Sequence, residues 1–87
     1  MEAVFTFHST HEAMTGERAL IDGGVKVRVM ALPSSLGAGC GLCLRVDQEE
    51  LETSNRLFAE AGLQPEGVYL KRIEDGVTTY TVFPSTW

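Results

Sequence analysis

Gly23-Gly24-Val25-Lys26-Val27-Arg28-Val29-Met30-Ala31-Leu32-Pro33-Ser34-Ser35-Leu36-Gly37-Ala38-Gly39-Cys40-Gly41-Leu42-Cys43-Leu44-Arg45-Val46 is the stretch on which the fold turns. From Val25 to Ala31 apolar and polar residues alternate, the period of a half-buried strand, with the valines facing inward. Pro33 ends that strand, and a Ser/Gly loop follows. Cys40 to Val46 then reads as a second strand, with Leu42, Leu44 and Val46 on one face and Cys43 and Arg45 on the other. Arg45 marks the Cys43 side as the open face. Two strands therefore follow one another with only a loop between them.

Outward from this pair, each flank supplies one more strand and one helix. Ala3 to His8 alternates as a strand with Phe5 and Phe7 on one face. Ser9-Thr10-His11-Glu12 has the capping-box spacing, in which the Ser9 hydroxyl and the Glu12 carboxylate each accept a backbone N–H at a helix start. The helix should run from Thr10 to Asp22, with Ala13, Gly16 and Leu20 as its apolar stripe, Met14 and Ile21 flanking it, and Gly23-Gly24 as its stop. On the other side Asp47 is placed to cap a helix from Gln48 to Ala61, with Leu51, Ser54, Phe58 and Ala61 inward and Leu57 alongside. Gly62 and Pro65 end it. Gly67 to Glu74, Asp75-Gly76 and Val77 to Phe83 read as a tight hairpin, followed by the tail Pro84 to Trp87. The order β-α-β-β-α-β plus one strand predicts an α+β, ferredoxin-like split βαβ sandwich, a single domain over 1–87 with both helices on one face. The competing arrangement is a different α+β sheet with the last hairpin at an edge.

The chain has 87 residues, 44% of them hydrophobic, and a formal net charge of −5. That length suits one small domain, burying roughly 60–65% of the surface the unfolded chain exposes. The acidic balance argues against nucleic acid or an anionic membrane as a partner through bulk electrostatics. No leader pattern opens the chain and no run approaches the ~20 apolar residues of a membrane helix, so the expectation is a soluble, cytoplasmic protein. Lys26, Arg28, Arg45 and Lys71 or Arg72 fall on strands, which predicts a locally cationic open sheet face. It lacks the paired aromatics on which RNA-binding sheets stack bases, leaving a solvated or dimerising face.

The chemistry centres on Cys40. Glycines 37, 39 and 41 leave little bulk around its sulfur. In a split βαβ sheet the end of the first strand, the start of the first helix, the end of the second strand and the start of the third meet at one end. Cys40 is thereby expected beside Ser9 and Thr10, where unpaired helix N–H groups favour an anion and would draw the thiol below the ordinary cysteine value of about 8.5. Gly39 and Gly41 join Ser9 and Thr10 as the supporting set. His8, His11 and Cys43 are accessory candidates. The plainer alternatives are a small buried thiol at a strand start, one histidine on the open sheet face and one solvated histidine in the first helical turn. Cys40-Gly41-Leu42-Cys43 has the spacing of a redox dithiol or half a zinc site. Residues three apart on a strand point to opposite faces, however, and two thiols are half the usual ligand set, so no metal and no cofactor is expected.

Phe5-Thr6-Phe7-His8-Ser9-Thr10-His11-Glu12-Ala13, Pro33, Gly39-Cys40-Gly41-Leu42-Cys43-Leu44-Arg45 and the acidic second helix ending at Gly62 resemble the small selenium/sulfur carrier-like proteins, a domain family of unknown function. The resemblance covers Ala3 to Tyr69. It implies a persulfide or selenide held on Cys40, received from a donor protein and passed to an acceptor protein. Cys43 stands where the family pattern has a small residue, and the terminal hairpin is an addition. The expected function is a small thiol carrier rather than an enzyme, with a homodimer as a candidate assembly. The alternative is a non-catalytic module that binds a protein or an anion, and a third reading is a dithiol oxidoreductase.

Overall fold

A computed structural model describes residues 1–36 and 41–82. Strand β1 (Glu2–Thr6) leads into helix α1 (Thr10–Asp22), then β2 (Arg28–Ala31), a short 3-10 turn at Ser34–Leu36, and β3 (Leu42–Asp47). A second 3-10 turn, Gln48–Glu50, opens α2 (Leu51–Glu60), and the hairpin β4 (Gly67–Glu74) and β5 (Val77–Val82) follows. The strands form one sheet in the order β2-β3-β1-β4-β5. All neighbouring pairs are antiparallel. With β3 inserted between them, β1 and β2 run parallel, which is the split βαβ arrangement of a ferredoxin-like sheet with one strand added at the β4 edge.

The α1 boundaries follow from its cap. The Glu12 N–H donates to Ser9 Oγ at 3.1 Å, and Glu12 Oε1 accepts from the His8 N–H at 3.2 Å, one residue earlier than the box predicts. Ala13, Gly16 and Leu20 are buried as expected. Met14 and Ile21, placed at the flanks of the stripe, stay about half exposed. Gly16 is where α1 meets the core most closely. A Cβ there would sit 3.1 Å from Leu44, 3.1 Å from Phe7 and 3.2 Å from Phe58.

The core lies between the helices and one sheet face. Ala3, Phe5, Phe7, Leu44 and Val46 meet Ala13 and Leu20 of α1 and Leu51 and Phe58 of α2. Phe58 stands edge-on to Phe5, with centroids 4.9 Å apart, and to Phe7 at 5.4 Å. Such geometry aligns the positive ring edge with the negative ring face.

Four sequence expectations need correction. The strand predicted from Val25 begins only at Arg28: Val25 is buried beside the end of α1, its N–H bonded to the Leu20 carbonyl at 2.9 Å. All four residues of β2, Val29 included, are exposed, and among the described residues this edge strand pairs with β3 alone. Asp47 has the extended backbone of a cap, but its side chain makes no capping bond and the first turn is 3-10. The inward stripe of α2 is Leu51, Ser54 and Phe58, while Ala61 is exposed at its C-cap.

The helix-free face is not the free cationic surface that was expected. Glu2 lies 3.2 Å from Arg45 Nε, 3.5 Å from Arg28 Nη1 and 3.8 Å from Lys71 Nζ, so one carboxylate answers three cations. Arg45 Nε is buried and sits off the line of a hydrogen bond to that carboxylate. Arg72 lies on the other side of the sheet and pairs with Glu74 at 3.4 Å. Nor is this face uniformly wet. Val4, Thr6 and Cys43 are buried on it, and the Tyr69 ring lies over Gly67 beside the Thr6 hydroxyl.

Candidate functional site

The candidate site sits at the end of the sheet where β1 finishes. Thr6 is in register with Cys43 of β3 on one side and Gly67 of β4 on the other, and Cys43 with Met30 of β2. Beyond the last rungs two backbone bonds continue the convergence. The Leu32 N–H donates to the Gly41 carbonyl at 2.9 Å, and the Glu66 N–H donates to the Thr6 carbonyl at 2.7 Å. The first of these ties Leu32, after β2, to Gly41, the residue that follows Cys40 in sequence.

Gly41 has φ +86°, with nothing within 4 Å of a would-be Cβ. This left-handed backbone is strained for any residue with a side chain, and it turns the chain as it enters β3. Cys40 and Gly39, the proposed reacting and supporting residues, lie outside the described residues. The sequence-predicted partners Ser9 and Thr10 are at the start of α1, both exposed. Only two residues separate Thr6 at the end of β1 from Ser9, so the N-cap and the loop stems occupy the same end of the sheet.

His8 is exposed, with Nδ1 3.3 Å from Glu66 Oε2. That partner escaped the sequence reading because Glu66 precedes β4, 58 residues along the chain, and only sheet pairing brings it here. His11 is exposed on the first turn of α1, where its carbonyl accepts from the Thr15 hydroxyl at 3.0 Å. Cys43 is on the helix-free face as expected, but it is buried, only 2% exposed, and its Sγ lies 3.8 Å from the Ala31 carbonyl. Flanking strands on both sides bury a small side chain even where no helix covers it. Among the described residues, no three of His, Cys, Asp and Glu gather as a metal site.

A shallow cleft of about 270 Å³, lined by Met1, Glu2, Lys71, Arg72 and Ile73, opens at the opposite end of β1. Glu2 stands four residues from Thr6, roughly 13 Å along the strand. The cleft is therefore separate from the loop end.

These features define a class: a small α+β protein whose split βαβ sheet gathers a helix start and the residues Leu32 and Gly41 at one end. Residues 2–70 match the family described as "Putative Se/S carrier protein-like", and the chain belongs to that family. A 43-residue segment is 42% identical to part of a protein of Escherichia coli (strain K12) named "Uncharacterized protein YtiA". That similarity spans 49% of this chain and 51% of the other, about half the length of each. No solved structure matches. Among the described residues no helix is long and apolar enough to cross a membrane.

Proposed function

We propose that this protein is a thiol carrier in which Cys40 accepts a sulfur or selenium atom and hands it on. The observation that carries the reading is the Leu32–Gly41 hydrogen bond. It holds the stem next to Cys40 at the end of the sheet where α1 begins. Membership of the Se/S carrier-like family supports the same chemistry.

In the proposed step the Cys40 thiolate attacks the outer sulfur of a persulfide on a donor protein. A new S–S bond forms, the donor's S–S bond breaks, and the donor leaves as its thiolate. An acceptor thiolate repeats the exchange in the other direction, so no external oxidant or reductant is consumed. Ser9 and Thr10 with their backbone amides, and the amides of Gly39 and Gly41, would stabilise the anion. His8 and His11 are accessory, and the histidine pairing with Glu66 would orient His8.

Intact-protein and peptide mass spectrometry after incubation with a cysteine desulfurase and cysteine tests this. The expected result is one added sulfur on the peptide containing Cys40, lost in Cys40→Ser. No adduct, or an adduct confined to Cys43, overturns it. The binding-module alternative predicts no adduct together with a stable co-purifying partner.

A further inference from the structure

We propose that the row Arg28, Arg45 and Lys71 on the helix-free face binds a small, doubly charged oxyanion of the phosphate or sulfate type, with Glu2 as its built-in competitor. Register sets the row. Arg28 of β2 stands directly opposite Arg45 of β3, and Glu2 of β1 opposite Lys71 of β4. Two of the three cationic side chains are largely covered, Arg45 at 16% exposed and Lys71 at 18%, against 54% for Arg28.

Two observations point to a further acceptor in this row. The first is the Arg28–Arg45 pair. Side chains directly opposite on neighbouring strands have Cβ atoms about 4.5–5.5 Å apart, and like charges in that position destabilise a sheet. An anion between them removes the penalty. Glu2 supplies one carboxylate, and a single oxygen of it, Oε2, faces both guanidinium groups, 3.5 Å from Arg28 Nη1 and 3.2 Å from Arg45 Nε. Its other oxygen lies 3.8 Å from Lys71 Nζ. The second observation is Arg45 Nε, which is buried and makes no hydrogen bond, although Glu2 is close. Buried donors are nearly always bonded, because a donor that has lost water and gained no acceptor destabilises the fold. One carboxylate is thus spread over more donors than it can align with.

The charge along the row has the same sign. Asp47 at the end of β3, exposed and in register with Glu2, is the other acid of these rungs, so cations outnumber carboxylates there even though the whole chain carries −5. Glu12, Glu17, Asp22, Glu52 and Glu60 are carried by the helices, on the other side of the sheet. Salt screens their repulsion over the ~8 Å Debye length of physiological solutions.

The ligand class follows from the donors. A guanidinium presents its N–H groups as a rigid fork that matches the oxygens of phosphate, and an ammonium adds a compact point charge. A tetrahedral oxyanion has oxygens in several directions and can meet Arg28, Arg45 and Lys71 together, which a planar carboxylate fixed to β1 does not. The cleft lined by Met1, Glu2, Lys71, Arg72 and Ile73 adjoins the row at Glu2 and Lys71 and opens that end to solvent. A free anion and the phosphate group of a small ester share this chemistry. Tyr80, half-buried and in register with Lys71, would lie beside an ester's organic body.

NMR titration of the full chain at low salt, following arginine Nε–H and backbone amide signals, tests the site. Inorganic phosphate should shift the Arg45 Nε–H signal and the amides of Glu2 and Lys71, leave those of α1 in place, and bind with a dissociation constant on the order of 1 mM that rises with added sodium chloride. Glu2→Gln removes the competitor and should bind about tenfold more tightly, whereas Arg28→Met and Lys71→Met, whose folding is verified by thermal melts, should each bind several-fold more weakly. Adenosine monophosphate separates the sources: tighter binding than phosphate assigns the site to an ester, equal binding to the free anion. No shift of the Arg45 signal with either probe at about 20 mM, some twentyfold above the expected constant, overturns the proposal. Equal shifts with matched sodium chloride, or a Glu2→Gln variant that binds no better than wild type, also overturn it.

Discussion

Phe58 shows how much of this domain rests on single side chains. It is fully buried and makes edge-on contacts with both Phe5 and Phe7, joining α2 to β1 and to the segment after it. Phe58→Ala should cost about 3–5 kcal/mol in urea unfolding, enough to leave so small a domain largely unfolded at 37 °C. A loss below about 1 kcal/mol would show that the pocket collapses and that the aromatic trio is not central. At Ser9, whose hydroxyl accepts from Glu12, substitution by Ala should cost about 1 kcal/mol. This cap was readable from four consecutive residues because its bonds are local. Gly41→Ala introduces a side chain at φ +86°, with a destabilisation of about 1–2 kcal/mol expected from thermal melts. That strain could not be read from the sequence, since a glycine beside a cysteine is equally consistent with simple lack of bulk.

Between elements the decisive quantities are approach and register. Gly16 sits in a wall formed by Leu44, Phe7 and Phe58, all of them buried. Gly16→Ala gains about 1 kcal/mol of helix propensity but must push three core groups apart, so a net loss of about 1 kcal/mol is expected in denaturant titration. A stabilised variant would mean the wall yields easily. On the opposite face Glu2 draws together Arg28 of β2, Arg45 of β3 and Lys71 of β4. Glu2→Gln should cost about 1 kcal/mol in low salt, and the gap should narrow as ionic strength rises toward about 1 M. An unchanged gap would assign the loss to packing rather than charge. The alternation of basic residues on strands was visible in the sequence. Their neutralisation was not, because Glu2 meets Arg28 only through the order β2-β3-β1.

At the scale of the whole molecule, protection should be ranked by position in the sheet. β1 lies between β3 and β4 with its residues 3–6 buried, whereas β2 and β5 are edges with mostly exposed side chains. Amide exchange in dilute monomer should therefore be slowest in β1 and β3 and fastest at the outward amides of β5. Uniformly slow exchange across β5 in dilute solution would contradict this ranking. The same layout bears on the site. Its pieces come from β1, α1, β2, β3 and the segment before β4, and a variant that loosens the sheet at Thr6 would disturb all of them at once.

Sequence alone determined the elements and their order, because strand alternation, the Ser9–Glu12 cap and the Asp75-Gly76 turn are encoded over a few neighbouring residues. The topology expected from that order is the one observed, since short right-handed connections leave few alternatives for two βαβ units. Tertiary structure alone decided that β2 is short and bare, that Cys43 is buried on the face without helices, that Glu66 meets His8 and that Glu2 answers three cations. Each depends on which strands become neighbours and how far the helix layer reaches. Those are properties of packing between distant segments, to which no local pattern is sensitive.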